Sequence, residues 1–179
     1  MNYALDLNHD KIVDFLLSHR LSYAQSGNTL LFSSKVFVPS YTRAKRLNRV
    51  ALTTSKERAL AFRAGDKIGP SAFFWVSGSL ASAAGTVGKP PNRYLGEWGN
   101  DGKGLKNRYL GFRFAIKNKV HYGWARVSVS GYPFAATLTG YAYETIRNRP
   151  IIAGKTKGRD VITVQSDSTM LGRLAVGRK

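Results

Sequence analysis

The sequence predicts an all-β protein: an antiparallel β-sandwich-like domain with a C-terminal meander and a long irregular central loop. Hydrophobic residues alternate with period two over several stretches. Glycine is frequent, 18 in 179 residues, with Ser and Thr scattered throughout. Long Ala/Leu/Glu/Lys stretches of the helical kind are missing, and that mixture belongs to short strands joined by turns. The length suits one buried core, here residues 1–158, followed by a C-terminal tail at 159–179.

Along the chain, Tyr3 to Leu17 holds two apolar stretches separated by Asp6-Leu7-Asn8-His9-Asp10-Lys11. In the second stretch Val13, Phe15 and Leu17 alternate with Ile12, Asp14 and Leu16, as in a strand with one buried face. Thr29 to Val38 reads as another strand, rich in Leu, Phe and Val and stopped by Pro39. The basic run from Thr42 to Arg49 fits a loop or a short helix equally well. Arg58 to Ala64 alternates as a strand, and Gly65-Asp66 and Gly69-Pro70 supply turn chemistry. From Gly78 to Gly104 the pattern breaks down into Gly, Ser and Ala, then Lys89-Pro90-Pro91-Asn92, and this is the expected long loop. Asn92-Arg93-Tyr94-Leu95-Gly96 returns as Asn107-Arg108-Tyr109-Leu110-Gly111, too short an echo for a repeat architecture.

Arg108 to Ser130 carries the strongest pattern. Leu110, Phe112, Phe114 and Ile116 share one face, and Tyr109, Arg113 and Lys117 the other. After Lys117-Asn118-Lys119, Tyr122, Trp124 and Arg126 oppose Ala125, Val127 and Val129, which makes a hairpin. Gly131-Tyr132-Pro133 turns the chain again into a third strand, Phe134 to Tyr143.

Charge is the strongest compositional signal. Twenty-eight Lys and Arg against ten Asp and Glu give a net charge of +18 and a pI near 10.5. Such a field attracts nucleic acid, anionic headgroups or acidic polysaccharide, or else serves solubility alone. The cluster Arg43, Lys45, Arg46 and Arg49 is the expected polyanion-binding site, with a solvated loop as its alternative. Tyr122, Trp124, Tyr141 and Tyr143 are the expected ligand platform if exposed; cross-strand packing is the commoner fate of such residues.

Asp6-x-Asn8-x-Asp10-x-Ile12-x-Asp14 places oxygens at positions one, three, five and nine of a calcium loop, with the Ile12 carbonyl at position seven. Crowded carboxylates repel unless a cation offsets them, so Ca²⁺ is the expected cofactor. Lys11 stands where a glycine usually turns the loop and Leu17 where a bidentate Glu closes it, which excludes an EF-hand. The alternative is an Asx-rich hairpin turn held by its own hydrogen bonds.

Catalytic motifs are missing. His9, His19 and His121 lack metalloprotease spacing, no Gly-x-Ser-x-Gly elbow occurs, and Gly154-Lys155-Thr156 has Arg149 where a phosphate loop needs glycine. Glu97 and Glu144 are the remaining carboxylates for an acid/base pair. The chain has no cysteine, so disulfides and thiol chemistry are excluded. It has no apolar run long enough to cross a bilayer and no recognisable signal peptide.

The stretches Tyr109-Leu110-Gly111-Phe112-Arg113-Phe114, His121-Tyr122-Gly123-Trp124-Ala125-Arg126-Val127, Leu138-Thr139-Gly140-Tyr141-Ala142-Tyr143-Glu144-Thr145 and Pro150-Ile151-Ile152-Ala153-Gly154-Lys155-Thr156 resemble a family of exported bacterial proteins found in acidobacteria and related soil lineages. Asp6-Leu7-Asn8-His9-Asp10 fits too, although the family usually has glycine where Lys11 stands. The resemblance implies an extracellular or cell-surface location and brings no catalytic residues with it. Family members end in a sorting tail with a Pro-Glu-Pro motif; Thr169 to Arg178 looks like a remnant without that motif, its apolar run broken by Arg173. The expected function is a secreted or surface-displayed, non-catalytic binding or structural module, calcium-stabilised, that self-associates through its sheet edges. The alternatives are a polyanion-binding module for acidic polymer or nucleic acid, and an enzyme acting on polysaccharide.

Overall fold

Alternating side chains organise the chain into two stacked antiparallel sheets and a small third one. The computed structural model describes residues 2–39, 47–54, 57–156 and 161–164, the last three as backbone only. The strands are β1 (Asn2–Leu5), β2 (Phe15–Ser26), β3 (Thr29–Val38), β4 (Arg49–Leu52), β5 (Ala61–Phe62), β6 (Lys67–Ile68) and β7 (Phe73–Trp75). They continue as β8 (Gly78–Thr86), β9 (Arg93–Leu95), β10 (Leu105–Ile116), β11 (Lys119–Val129), β12 (Ala136–Glu144), β13 (Ile151–Ile152) and β14 (Val161–Val164). A 3-10 turn, Glu97–Gly102, lies between β9 and β10. Among the described residues no helix is long and apolar enough to cross a membrane.

The first sheet runs β1-β2-β3-β8-β9 and the second β14-β12-β11-β10-β4-β7, with β5 pairing β10 from the side. A two-stranded sheet, β13-β6, is hydrogen-bonded into neither. The expected meander is present as β10, β11 and β12, paired from Leu105↔Val129 to Ile116↔Lys119 and from Gly123↔Tyr143 to Val129↔Ala136. Lys117 and Asn118, both at positive φ (50° and 62°), make the tight turn whose twist matches the flanking strands.

The main core lies between the two large sheets. Leu5, Leu17, Val36 and Leu80 from the first meet Leu110, Phe112, Phe114 and Val127 from the second, and the Phe15 and Phe112 rings stand 4.2 Å apart. A second core covers the other face of the second sheet. There Ile68 and Ile151 of the small sheet pack with Phe62, Tyr109, Tyr122 and Trp124. Burial of both faces explains why the second sheet reads as nearly continuous apolar sequence along β11 and β12.

Residues 78–104 are not the expected long loop. Gly78–Thr86 is a nine-residue strand at the interior of the first sheet, between β3 and β9. Its Gly, Ser and Ala residues mask a strand because no β-branched residue occurs before Thr86, but small side chains suit a site where sheets and turns approach closely. Ala81 and Ala83 are buried against the main core. At Gly96 a Cβ would run into the Leu80 carbonyl; without one, the 3-10 turn tucks Trp98 into the core, its Nε1–H donating to the Ala59 carbonyl at 3.0 Å. Arg58 to Ala64 is also shorter as a strand than its alternation suggests, since Ala61–Phe62 is the part paired with β10, and Arg58 and Ala59 make isolated bridges to Ser79 and Leu52. β14 falls within residues 159–179 and pairs with β12 from Tyr141↔Val164 to Glu144↔Val161; residues 165–179 lie outside the described residues.

Candidate functional site

The outer face of the first sheet carries a basic cleft of about 700 Å³ where β7 leads into β8. On β3, Ser34, Val36 and Val38 point to the core, so Lys35 and Phe37 point outward. Lys35 is opposite Ser82 of β8, and Ser82 is opposite Leu95 of β9, which places a cation, a hydroxyl and an aliphatic group in one row across the sheet. Arg93 stands in the next row, opposite Ala84. β8 has a bulge between Ala81↔Val36 and Ser79↔Phe37; the extra residue, Leu80, is fully buried, and the cleft wall runs through Ser79. This is how a bulge re-aims neighbouring side chains. Ser79 also bridges Arg58 in parallel fashion, bringing Arg58 and Glu57 to the rim. Trp75, 52% exposed, closes the far side and lies nearly parallel to the Phe73 ring at 6.3 Å.

The electrostatics of this face are lopsided. No Asp or Glu occurs between Asp14 and Glu57 or between Asp66 and Glu97, and those two tracts build most of the sheet. Arg20 of β2 and Lys35 of β3 are direct cross-strand partners, an opposition of like charge that destabilises a ladder. Both lean over the Phe37 ring, with Arg20 Cζ at 5.6 Å and Lys35 Nζ at 5.3 Å from its centroid. Glu57 is the single carboxylate lining the cleft. Among the described residues no carboxylate is in ion-pair contact with Arg20, Lys35, Arg58 or Arg93.

The residues expected from sequence fall elsewhere. Arg43, Lys45 and Arg46 lie outside the described residues. Arg49 is half-buried on β4, its Nη1 donating to the Asn48 carbonyl at 3.1 Å, and it does not line the cleft. Tyr122, Trp124, Tyr141 and Tyr143 form no exposed platform, since all four are buried. They also divide between two cores, Tyr141 and Tyr143 with the main one and Tyr122 and Trp124 with the second. Both faces of their sheet are covered, so alternation sends each pair into a different interior.

The Asp6 to Asp14 segment is a hairpin turn between β1 and β2, closed by the pair Leu5↔Phe15. Asp6 accepts the Asp10 and Lys11 amides at 3.2 and 2.8 Å, and Asp10 accepts the Ile12 amide at 2.8 Å and the Asn8 side chain at 3.0 Å. Asp14, only 1% exposed, accepts the Leu7 amide at 2.9 Å and the Asn48 Nδ2–H at 3.2 Å. His9 and Lys11 take left-handed φ of 58° and 68°, and Lys11 does so at the sixth position of the loop, where a calcium loop ordinarily has glycine. The carboxylates thus cap backbone amides of their own turn. Among the described residues no group of three or more His, Cys, Asp or Glu is placed to hold a metal ion. The chemistry of this turn matches the Asx-rich alternative, although the Asn8 Oδ1 atom is buried without a hydrogen-bond partner.

The groups considered for catalysis serve local contacts. Glu97 accepts the Ala61 amide at 3.0 Å; Glu144, buried, meets Arg149 at 3.6 Å. His121 Nδ1 sits 2.9 Å from the Glu144 carbonyl oxygen, and His19 Nε2 lies 3.1 Å from Ser34 Oγ. Burial holds His19 below the usual histidine pKa. Sequence reasoning missed Arg20, Lys35, Arg58 and Arg93 because they are scattered along the chain. The two acid-free tracts were the available signal. Comparison of the chain with protein-family models, with curated proteins and with solved structures finds no match in any of the three.

Proposed function

We propose that the protein is an exported, non-catalytic module that binds acidic polysaccharide in the cleft on the outer face of its first sheet. One observation carries this reading: Arg20 and Lys35 face each other across the ladder, and among the described residues no carboxylate is in ion-pair contact with either. A sulfate or carboxylate of the polymer supplies the missing anion, and each contact releases condensed counterions. Arg58 and Arg93 extend the cationic track across the cleft. Trp75 offers an exposed indole against which a sugar ring packs. Serine hydroxyls at 77, 79 and 82 line the same wall and suit hydroxyl-rich partners.

Polysaccharide is preferred over single-stranded nucleic acid because a single-strand binder stacks successive bases on several exposed aromatics. The four meander aromatics that would have formed such a row are buried. Export rests on the sequence resemblance and is tested by fractionating a producing bacterium. Binding is tested by calorimetric titration with heparin as the sulfated probe, dextran as the neutral control and oligo(dT) as competitor. The reading expects salt-sensitive binding to heparin and none to dextran. Tighter binding to oligo(dT) than to heparin overturns the polysaccharide assignment.

A further inference from the structure

β2 has twelve residues, yet β1 covers only its first four, from Phe15 to Ser18. β3 pairs with the rest of β2 along one edge, without a register shift, as far as Ser26↔Thr29. Among the described residues no strand pairs with the other edge from Arg20 to Ser26. All seven side chains there are exposed, and the core-side face of the overhang carries Leu21 (50% exposed), Tyr23 (62%) and, across the ladder, Leu30. An open row of backbone donors and acceptors beside apolar side chains is a template for strand addition. Proline, a bulge or a row of charges would ordinarily block it. This edge has only Arg20.

We propose that this edge pairs antiparallel with the same edge of a second copy, the two-fold axis passing through Tyr23. In that register Tyr23 faces the partner's Tyr23, Ser22 faces the partner's Ala24, Leu21 faces the partner's Gln25, and Arg20 faces the partner's Ser26. Each strand stops short of the neighbouring β1, whose Asn2 occupies the place opposite Ser18. A register moved toward β1 collides with it; one moved toward the tip loses pairs. The two Arg20 residues end up six residues apart, about 20 Å at ~3.3 Å per residue, beyond the ~8 Å screening length at physiological salt. The strip pairs Ser22 with Ala24 and Tyr23 with Tyr23, lays Leu21 against the aliphatic part of Gln25, and keeps each Arg20 opposite a neutral Ser26, so no like charges meet in this register.

The contact is a strip about 23 Å long and ~10 Å thick, short of the ~800 Å² per partner of a stable complex. The dimer is therefore reversible and dependent on concentration. Each chain carries +18, so added salt screens the repulsion and strengthens it, opposite to the salt response of polyanion binding. This inference stands apart from the proposed ligand. A two-fold axis normal to the sheet also joins the two first sheets into one of ten strands and sets both basic clefts on the same side.

Two measurements on the full chain test it. Light scattering across a concentration series at 0.1 and 0.5 M NaCl should show the mass rising from 19.7 kDa toward twice that, at lower concentration in high salt. Tyr23→Pro and Tyr23→Lys should raise the concentration needed at least tenfold, with unchanged far-ultraviolet circular dichroism, because the Tyr23 amide faces the open edge while Ser22 and Ala24 bond to β3. Because the chain has no cysteine, Tyr23→Cys introduces a single thiol. Facing Cα atoms of an antiparallel pair lie about 4.5–5.5 Å apart, within disulfide reach, so mild oxidation should give a covalent dimer. Lys117→Cys, on the β10–β11 turn, should not. A mass fixed at the monomer to millimolar concentration in both salts, or cross-linking of K117C as efficient as that of Y23C, overturns the proposal.

Discussion

Arg20 and Lys35 stand directly opposite each other on neighbouring strands, and both cations are drawn over the same Phe37 ring. Cross-strand like charges cost roughly 0.2–1 kcal/mol, while an exposed cation–π contact returns about 0.5–1 kcal/mol. The pair is close to balanced for stability and favourable for binding an anion.

Lys35→Thr removes one of the opposed charges and puts a β-branched residue on a strand. It should leave stability unchanged or raise it by up to about 0.5 kcal/mol, while heparin affinity falls three- to tenfold. Urea denaturation paired with calorimetric titration reads both. A loss of more than 1 kcal/mol would show that the aromatic contacts outweigh the repulsion.

Two tryptophans separate packing from binding. Trp124 is buried with its ring edge-on to Tyr109 at 5.1 Å and 88°, so Trp124→Ala should cost about 3–5 kcal/mol. Trp75 is half exposed at the cleft rim, so Trp75→Ala should cost under 1 kcal/mol and weaken polysaccharide binding. Thermal melts and titrations of the two variants should therefore give opposite rankings.

The hairpin turn from Asp6 to Asp14 is held by its own amides, and Asp14 is its buried anchor. Asp14→Ala strips the acceptor from the Leu7 amide and one of two acceptors from Asn48 Nδ2, which keeps the Asp14 carbonyl at 3.1 Å, and should cost about 2–3 kcal/mol, as a buried donor left unsatisfied does. Asp10→Ala, on the exposed side, should cost less than 1 kcal/mol. Millimolar calcium should shift the melting temperature of the wild type by less than 1 °C. A saturable heat of calcium binding lost in Asp10→Ala would favour the metal reading of this turn over the Asx-rich one.

These outcomes show what a sequence of this kind makes legible. The meander was plain because Leu110, Phe112 and Phe114 oppose Tyr109 and Arg113 with strict period two, and Thr29–Val38 was bounded by Pro39. β8 was hidden because Gly, Ser and Ala carry little strand preference of their own; its neighbours on both sides impose the strand. Trp124 and Tyr141 were misleading as surface candidates, since alternation shows which residues share a face but not that both faces are covered. The cleft was invisible locally. Its three cations, Lys35, Arg58 and Arg93, come from separate segments, and a bulge at Leu80 and a bridge at Ser79 bring Arg58 to the wall that Lys35 lines.

Tyr141 gives a pH signature. Burial, then the charges of Asp6 and Asp14, push its hydroxyl up to about 12. The unfolded chain ionises its tyrosines near pH 10, so the stabilisation is complete below that pH and is lost as pH rises from about 10 through about 12. Tyr141→Phe should lose less stability than wild type over this window. Identical alkaline melting curves for the two would contradict the assignment.

The cationic cleft is tested most directly by the salt dependence of heparin binding to wild type and to the Lys35→Ala/Arg58→Ala/Arg93→Ala variant. Each lost anion contact lowers the slope of log K against log salt by close to one. The variant should bind more weakly at 0.1 M salt, with a slope shallower by about two to three. An unchanged affinity and slope would show that the polymer binds elsewhere on the +18 surface and would contradict the account.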